Sequence, residues 1–170
     1  MSILSHQALL AELKNGSIKI EPELSLDQVK EASIDFRLGN TFRVYEKSDN
    51  PISICENTNY HNYTKEIKAE KLFLKPKETV LGITIEKITL PDNICAWIEG
   101  RSRFARLGLL IHISAGLIQP GVDNHQVLEI TNLSPNTLEL IAGERICQVV
   151  FEKLIGKALY RGKFSRQIDP

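Results

Sequence analysis

This chain has few cysteines and no excess of charge of either sign. Its three cysteines, Cys55, Cys95 and Cys147, are odd in number and far apart. That spacing argues against a disulfide framework and favours reduced thiols packed as small apolar side chains. Lys plus Arg and Asp plus Glu both total 21, so no overall basic field suggests a nucleic-acid partner. Any polyanion must therefore be held by a local group of cations.

Long apolar runs and repeats are missing as well. No segment approaches the ~20 continuous apolar residues of a membrane span. The first residues lack the basic and then apolar pattern of a secretory signal. We therefore expect a cytoplasmic protein without a membrane partner. A length of 170 residues suits one hydrophobic core, and we predict a single domain over residues 1–170.

One amphipathic helix is predicted at the start of the chain. Ser5 can cap it, Leu9, Leu10 and Leu13 share a face, and Gly16 follows as a stop signal. A weaker helical turn is predicted at 25–29, with its first serine as the cap.

Beyond the helix, apolar residues recur with a period of two. Turn signals rich in Gly, Pro and Asn separate these short runs, a pattern typical of an all-β sandwich or barrel. The polar segment 56–70 is interpreted as a long loop. The predicted strands cover residues 33–38, 41–45, 71–74, 79–85, 94–98, 109–113, 126–131, 137–141 and 148–151.

Two features of the sequence carry candidate chemistry. Residues 99–106 read Glu-Gly-Arg-Ser-Arg-Phe-Ala-Arg, a turn that is dense in arginine. Guanidinium groups in such a turn suit a polyanion such as a triphosphate. Glu129 lies within an apolar run, where a carboxylate suits proton transfer. Together they indicate chemistry on a nucleotide.

A zinc-dependent deaminase is a poor match to this chain. Those enzymes require a His-x-Glu sequence followed by Pro-Cys-x-x-Cys, whose imidazole and thiolates hold the metal. No two cysteines are close in the sequence, and His6, His61, His112 and His125 form no such group. We expect no zinc and no protein-held metal, and we interpret His112 as a core or interface residue.

Seven segments of the sequence form a pattern through their order and spacing. They are Ala-Ser-Ile-Asp-Phe-Arg-Leu-Gly (32–39), Gly-Arg-Ser-Arg-Phe-Ala-Arg-Leu-Gly (100–108), His-Ile-Ser-Ala (112–115), Ile-Gln-Pro-Gly (118–121), Leu-Glu-Ile (128–130), Gly-Glu-Arg-Ile-Cys-Gln (143–148) and Tyr-Arg-Gly-Lys-Phe-Ser-Arg-Gln (160–167). Together they resemble the dCTP deaminases of the trimeric dUTPase-like superfamily. The resemblance implies a distorted jelly-roll β-barrel with a short N-terminal helix, assembled as a homotrimer with active sites at subunit boundaries. It also implies hydrolytic deamination of dCTP to dUTP and ammonia.

The resemblance also implies roles for individual residues. Glu129 matches the glutamate that acts as general base and acid, and Ser102 and Arg106 match the residues that position the water and that glutamate. These residues are the predicted catalytic group. The residues expected to contact the nucleotide are Arg101, Ser102, Arg103, Phe104, Ala105, Arg106, Ala115, Gln119, Val127, Leu128, Glu129, Gln148, Tyr160, Lys163 and Gln167.

Within that set, the resemblance assigns the triphosphate to three positions. Arg101, Lys163 and Gln167 match phosphate contacts, and residues 156–170 match a segment that covers the nucleotide. A Mg²⁺ ion is expected on the triphosphate itself. In the implied trimer, a neighbouring subunit supplies the arginine turn to the chain that contributes Glu129.

Two positions depart from the family pattern. Arg103 replaces a small hydroxyl residue, and Gln119 replaces an aspartate that receives the 3′-hydroxyl of the sugar. Three functions remain open: dCTP deamination, a bifunctional reaction that continues to dUMP, and nucleotide binding with reduced or lost catalysis. The neutral Gln119 argues against the second function, and the intact Glu129 argues against the third. Inhibition by dTTP is also left open.

Overall fold

The computed structural model describes residues 2–170, so Met1, the first residue of the predicted domain, lies outside the description. Strands dominate the described chain, and its helices are short. The elements are α1 (His6–Lys14), β1 (Lys19–Glu21), β2 (Ile34–Tyr45), β3 (Thr64–Lys68), β4 (Lys71–Leu74), β5 (Thr79–Thr89), β6 (Ile94–Gly100), α2 (Ser102–Ala105), β7 (Leu109–Leu110), β8 (Leu117–Ile118), β9 (Asp123–Asn132), β10 (Leu138–Ile141) and β11 (Arg145–Lys153).

The N-terminal helix α1 forms where the sequence predicts it. The Ser5 side chain accepts a hydrogen bond from the backbone N–H of Ala8, which satisfies one of the unpaired donors at the helix start. Leu9 is fully buried and fixes the helix to the sheet. The weaker predicted turn is a 3₁₀ turn, Leu26–Gln28, with Ser25 at its cap position.

Nine strands of different lengths form one sheet that curls into a partial barrel. The order along the sheet is β7-β9-β5-β2-β11-β6-β8, with β1 paired to β5 and β3 paired to β2. Strands β4 and β10 form a separate two-stranded ribbon. The predicted all-β fold with an N-terminal helix is confirmed.

The alternation of β9 decides which of its side chains reach the core. Leu128 and Ile130 are fully buried, and they pack in the same apolar cluster as Phe36 and Phe42. Glu129 lies between them in the sequence and therefore projects from the opposite face of the sheet, where it is partly buried. The burial of Leu128 and Ile130 in the core therefore directs the Glu129 carboxylate to the other face of the sheet.

The predicted break between residues 38 and 41 is wrong. The predicted strands 33–38 and 41–45 are one continuous strand, β2, and a shift in its pairing with β5 falls between Leu38 and Phe42. Gly39 is needed in this irregular stretch because a Cβ there would lie 2.9 Å from the carbonyl oxygen of Ile83. The pairing irregularity, and not a chain reversal, accounts for the turn signal in the sequence.

The polar segment 56–70 is also more regular than predicted. It contains a 3₁₀ turn, Tyr60–Tyr63, followed by strand β3, which pairs with β2. The sequence of β3 is Thr-Lys-Glu-Ile-Lys, and its charged side chains face water as is common at a sheet edge. That charge is why the composition suggested a loop.

Strands β1 and β8 were not predicted, and the predicted strand 109–113 is limited to the two residues of β7. Short strands of two or three residues carry too little alternation to be recognised. No helix within residues 2–170 is long and apolar enough to cross a membrane.

Candidate active site

A cleft with a volume of about 470 Å³ opens beside β9 on the face that carries Glu129. Clefts of this size are typical of small-molecule sites. Six of the nucleotide contacts predicted from the sequence line it: Ala115, Gln119, Val127, Glu129, Tyr160 and Gln167. The fold therefore gathers residues from positions 115 to 167 around one carboxylate.

The backbone fixes the carboxylate of Glu129. Its Oε2 accepts hydrogen bonds from the backbone N–H groups of Ile113, at 2.9 Å, and Ser114, at 3.2 Å. Within residues 2–170, Oε1 makes no hydrogen bond, and no lysine or arginine forms an ion pair with this carboxylate. One oxygen is thus held in place while the other is available to a ligand.

Two tyrosines that the sequence analysis missed also line the cleft. Tyr45 is the last residue of β2, and Tyr60 begins the 3₁₀ turn that precedes β3. Partial burial raises the pKa of the Tyr45 hydroxyl, and the negative charge of Glu129 raises that pKa further. No local motif marks either tyrosine, because Tyr45 reaches the cleft through the pairing of β2, and Tyr60 reaches it through the turn that leads into β3.

The C-terminal segment lies along β9 at the edge of the cleft. The backbone N–H groups of Asp123 and His125 donate to the carbonyl oxygens of Ser165, at 2.9 Å, and Gln167, at 3.0 Å. The backbone N–H of Tyr160 donates to the carbonyl oxygen of Pro120 at 2.9 Å. These bonds hold the segment beside the carboxylate.

Only some side chains of the C-terminal segment line the cleft. Phe164, which the sequence analysis did not predict, lines the cleft with Tyr160 and Gln167. The predicted phosphate contact Lys163 is exposed, and its Nζ lies 5.6 Å from the centre of the Phe164 ring. The ammonium group therefore lies close to an aromatic wall of the cleft.

The arginine turn lies apart from the cleft in the single chain. Its central residues form the short helix α2, in which Ser102 and Arg103 are exposed, as is Arg106 directly after it. Within residues 2–170, these three side chains make no hydrogen bond or ion pair. They are therefore available to another molecule.

Arg101, by contrast, is engaged inside its own chain. Its Nη1 donates to the carbonyl oxygen of Arg145 at 2.7 Å, and its Nη2 lies 3.2 Å from Oδ2 of Asp35. Asp35 is only 2% exposed, and burial raises the pKa of its carboxyl group while the charge of Arg101 opposes that rise. A guanidinium has five N–H donors, so Arg101 keeps donors for a phosphate.

Gln148 supports the arginine turn from the neighbouring strand. Its Oε1 accepts a hydrogen bond from the Ser33 hydroxyl at 3.2 Å, and its Nε2 donates to the carbonyl oxygen of Gly100 at 3.1 Å. Both ends of the amide are therefore occupied, one of them by the residue that precedes Arg101.

The remaining predicted contacts differ in how accessible their side chains are. The Leu128 side chain is fully buried in the core, so only its backbone can meet a ligand. Phe104 packs against the core, and Ala105 is exposed at the end of α2. His112 precedes the segment that binds Glu129, and its Nδ1 is buried without a hydrogen-bond partner among the described residues.

The acidic, histidine and cysteine side chains of residues 2–170 give no candidate metal site. Among residues 2–170, no group of three or more of them is arranged to hold a metal ion. The described structure gives the predicted magnesium no ligand set, and its place on a triphosphate stays a prediction.

The similarity of this chain to known proteins extends over most of its length. A family model described as dCTP deaminase-like matches residues 3–154. The chain belongs to this family. The matched residues include the arginine turn and Glu129, whereas residues 155–170 lie beyond the match.

Individual members of the family differ in the product that their names specify. The chain is 37% identical over 158 residues to a "dCTP deaminase, dUMP-forming" of Methanosphaera stadtmanae, covering 91% of this chain and 80% of that protein. It is 38% identical over 165 residues to a "dCTP deaminase" of Alteromonas mediterranea, covering 91% of this chain and 84% of that protein.

The fold also matches a solved member of the family. The crystal structure of 2′-deoxycytidine 5′-triphosphate deaminase from Agrobacterium tumefaciens superposes with a TM-score of 0.69 at 22% sequence identity. The match covers 88% of this chain but only 46% of that enzyme, so this chain spans about half of its length. The predicted barrel of the dUTPase-like type is confirmed.

Proposed function

We propose that this protein hydrolyses dCTP to dUTP and ammonia, with Glu129 as general base and acid and without zinc. The observation that carries the proposal is the carboxylate of Glu129, which has Oε2 held by two backbone N–H groups and Oε1 free beside the cleft. A carboxylate held in one orientation can take up and return a proton without rearranging. The reaction belongs to pyrimidine deoxynucleotide metabolism.

In the proposed reaction, Oε1 of Glu129 removes a proton from water as the water oxygen bonds to C4 of cytosine. The carboxylic acid then gives that proton to N3, which leaves C4 tetrahedral. Oε1 next accepts the proton of the new hydroxyl and passes it to the amino group. The C4–N bond breaks, ammonia departs, and the C4 carbonyl of uracil forms.

A second copy of the chain is proposed to complete this site. Within residues 2–170, Glu129 is bound only by backbone N–H groups and has no cationic partner. The exposed side chains of Ser102, Arg103 and Arg106 lie outside the cleft and also have no partner among these residues. In a homotrimer, the turn of one subunit meets the cleft of the next. Arg106 then holds the carboxylate, and Ser102 positions the water.

The triphosphate is proposed to bring its own Mg²⁺, because Mg²⁺ commonly binds through substrate phosphates and keeps several waters. Arg101 and Arg103 from the turn and Lys163 from the C-terminal segment supply positive charge for the phosphates. Residues 156–170 cover the bound nucleotide. We place the reaction in the cytoplasm and retain dTTP as a candidate inhibitor.

A second candidate function is the conversion of dCTP to dUMP. Its support is the name of the relative from Methanosphaera stadtmanae, which specifies that product. Gln119 lines the cleft but carries no charge, and an amide does not act as a base towards water. Release of pyrophosphate together with ammonia would establish this function.

The decisive experiment is incubation of the purified protein with dCTP, dUTP or CTP and Mg²⁺, with ammonia and pyrophosphate both measured. We expect ammonia from dCTP. Glu129→Gln should abolish that release, whereas Glu31→Gln, which changes an exposed glutamate outside the cleft, should not. Tight binding of dCTP by the unaltered protein without ammonia release would instead indicate a homologue without catalysis.

A further inference from the structure

Three of the four tyrosines of this chain line the Glu129 cleft. Tyr160 belongs to the C-terminal segment, but Tyr45 and Tyr60 belong to the body of the barrel. Tyr63 is the fourth tyrosine, and it lies outside the cleft lining. The clustering is notable because aromatic residues form only 6% of the chain.

Strand pairing places Tyr45 on the same face of the sheet as Glu129. Arg43 pairs with Leu81, and Leu81 pairs with Glu129, so these three side chains share a face. Tyr45 follows Arg43 by two residues on the same strand and therefore projects from that face as well. Arg43 is buried and donates to Thr64 at 2.8 Å. Of the residues of β2, Tyr45 is the one that lines the cleft.

The hydroxyl of Tyr45 is available for a ligand. It makes no hydrogen bond within residues 2–170, and the residue is 54% exposed. Partial burial and the charge of Glu129 both raise the pKa of this hydroxyl, so it stays protonated at neutral pH. A neutral phenol beside a carboxylate can direct its O–H towards that carboxylate and present its lone pairs to a third group.

Cytosine and uracil differ at the position where this third group would lie. The C4 substituent of cytosine is an amino group that donates hydrogen bonds, whereas that of uracil is a carbonyl oxygen that only accepts them. A hydroxyl whose proton faces Glu129 can accept from the amino group but meets the carbonyl oxygen as a second acceptor. Two acceptors that face each other without a proton between them are both left unpaired, which lowers affinity.

We propose, on the basis of the proposed function, that Tyr45 is a specificity-determining residue that separates substrate from product. When the nucleotide binds, the Tyr45 hydroxyl donates to Glu129 and accepts a hydrogen bond from the C4 amino group of dCTP. The same arrangement weakens the binding of dUTP, so the product leaves the cleft as it forms.

The test compares the unaltered protein with Tyr45→Phe, which removes the hydroxyl and keeps the ring. KM for dCTP and the inhibition constant of dUTP are measured in the presence of Mg²⁺, and equilibrium binding of both nucleotides is measured by calorimetry. We expect the preference for dCTP over dUTP to fall by roughly tenfold, as the loss of one hydrogen bond predicts. Tyr63→Phe is the matched control and should keep the original preference.

The outcomes separate this proposal from the proposed function. An unchanged preference in Tyr45→Phe overturns the role of Tyr45 while ammonia release from dCTP still supports the deaminase. If the unaltered protein binds dCTP and dUTP equally well, the role of Tyr45 is also overturned. If the unaltered protein binds dCTP but releases no ammonia, the proposed function fails, and calorimetry still decides whether Tyr45 discriminates between the two bases.

Discussion

The backbone N–H of Ile113 lies 2.9 Å from Oε2 of Glu129 and donates a hydrogen bond to it. The neighbouring N–H of Ser114 donates to the same oxygen at 3.2 Å. Because both donors belong to the main chain, the orientation of the carboxylate depends on the path of the backbone at 113–114. The side chains of these two residues are exposed and do not take part in this contact.

This contact predicts different effects for two substitutions at one position. Ser114→Pro removes one N–H donor and restricts the residue before it, so we expect kcat for dCTP to fall by roughly 10²-fold, as for the loss of one fixed donor. Ser114→Ala keeps the donor and should retain near-normal kcat. Steady-state kinetics with thermal unfolding as a folding control measures both, and equal kcat values for the two variants would refute the role of the backbone.

The separation of the arginine turn from Glu129 predicts complementation between subunits. Glu129→Ala and Arg106→Ala should each be inactive alone, because each lacks one half of every site. Random 1:1 mixing in a trimer with sites at its boundaries would restore about one quarter of the sites. The measurement is ammonia release after co-expression and purification of mixed trimers, and a complete lack of rescue would contradict shared sites.

The ion pair between Lys87 and Asp123 predicts a pH-dependent stability. Lys87 Nζ lies 2.7 Å from Oδ1 of Asp123, and this hydrogen bond, together with one from Thr89, holds the pKa of Asp123 below its ordinary value. A lowered carboxyl pKa stabilises the fold above the ordinary pKa, and that contribution is lost as the pH falls through the lowered value.

Asp123→Asn should therefore lower the free energy of unfolding at pH 7 by at most about 1 kcal/mol, because the pair is partly exposed. The difference from the unaltered protein should shrink towards pH 3. Urea unfolding at both pH values measures it, with Asp49→Asn, an exposed aspartate without an ion pair among the described residues, as control. A loss that is the same at both pH values would show that the ion pair is not its cause.

Gly108 ends the arginine turn in a conformation that other residues rarely adopt. Its φ is +84°, and a Cβ there would lie 2.9 Å from the backbone nitrogen of Ser134. Gly143 has a similar φ of +86°, but a Cβ there would meet nothing within 4 Å. The two glycines thus share the left-handed strain and differ in the space around them.

We expect Gly143→Ala to destabilise the protein by about 1 kcal/mol, from the left-handed backbone alone. Gly108→Ala should cost about 1–3 kcal/mol more because its new methyl group overlaps a neighbouring backbone. Chemical unfolding of both variants measures the difference. Similar losses of stability in the two variants would show that the chain at Ser134 moves aside without cost.

Parts of the fold were predictable because they depend on local patterns. Helix α1 has its own cap and apolar face, and most long strands alternate between the core and water. Strand β3 escaped prediction because its Lys and Glu side chains suit a sheet edge as well as a loop. The continuity of β2 through Gly39 was not predicted, because a glycine is equally typical of a chain reversal and of an irregularity in strand pairing.

The sequence predicted only those site residues that belong to recognisable motifs. Glu129 was recognised from its apolar neighbours and from the family resemblance, and the structure gives it a cleft and two backbone donors. Tyr45 and Tyr60 belong to no motif, because a strand and a turn that are distant from Glu129 in the sequence bring them to the cleft. Phe164 reaches it through the path of the C-terminal segment along β9.

Residue order alone determined the class of fold, the family and the chemical groups available for catalysis, since alternation, caps and motif residues are properties of neighbouring positions. The tertiary structure decided which groups meet. It placed Glu129 beside three tyrosines, bound Arg101 to the buried Asp35, and left Ser102 and Arg106 without partners in the described chain. These relationships arise from strand register and sheet curvature, which bring together residues as distant in the sequence as Tyr45 and Glu129 and leave no trace in any short segment.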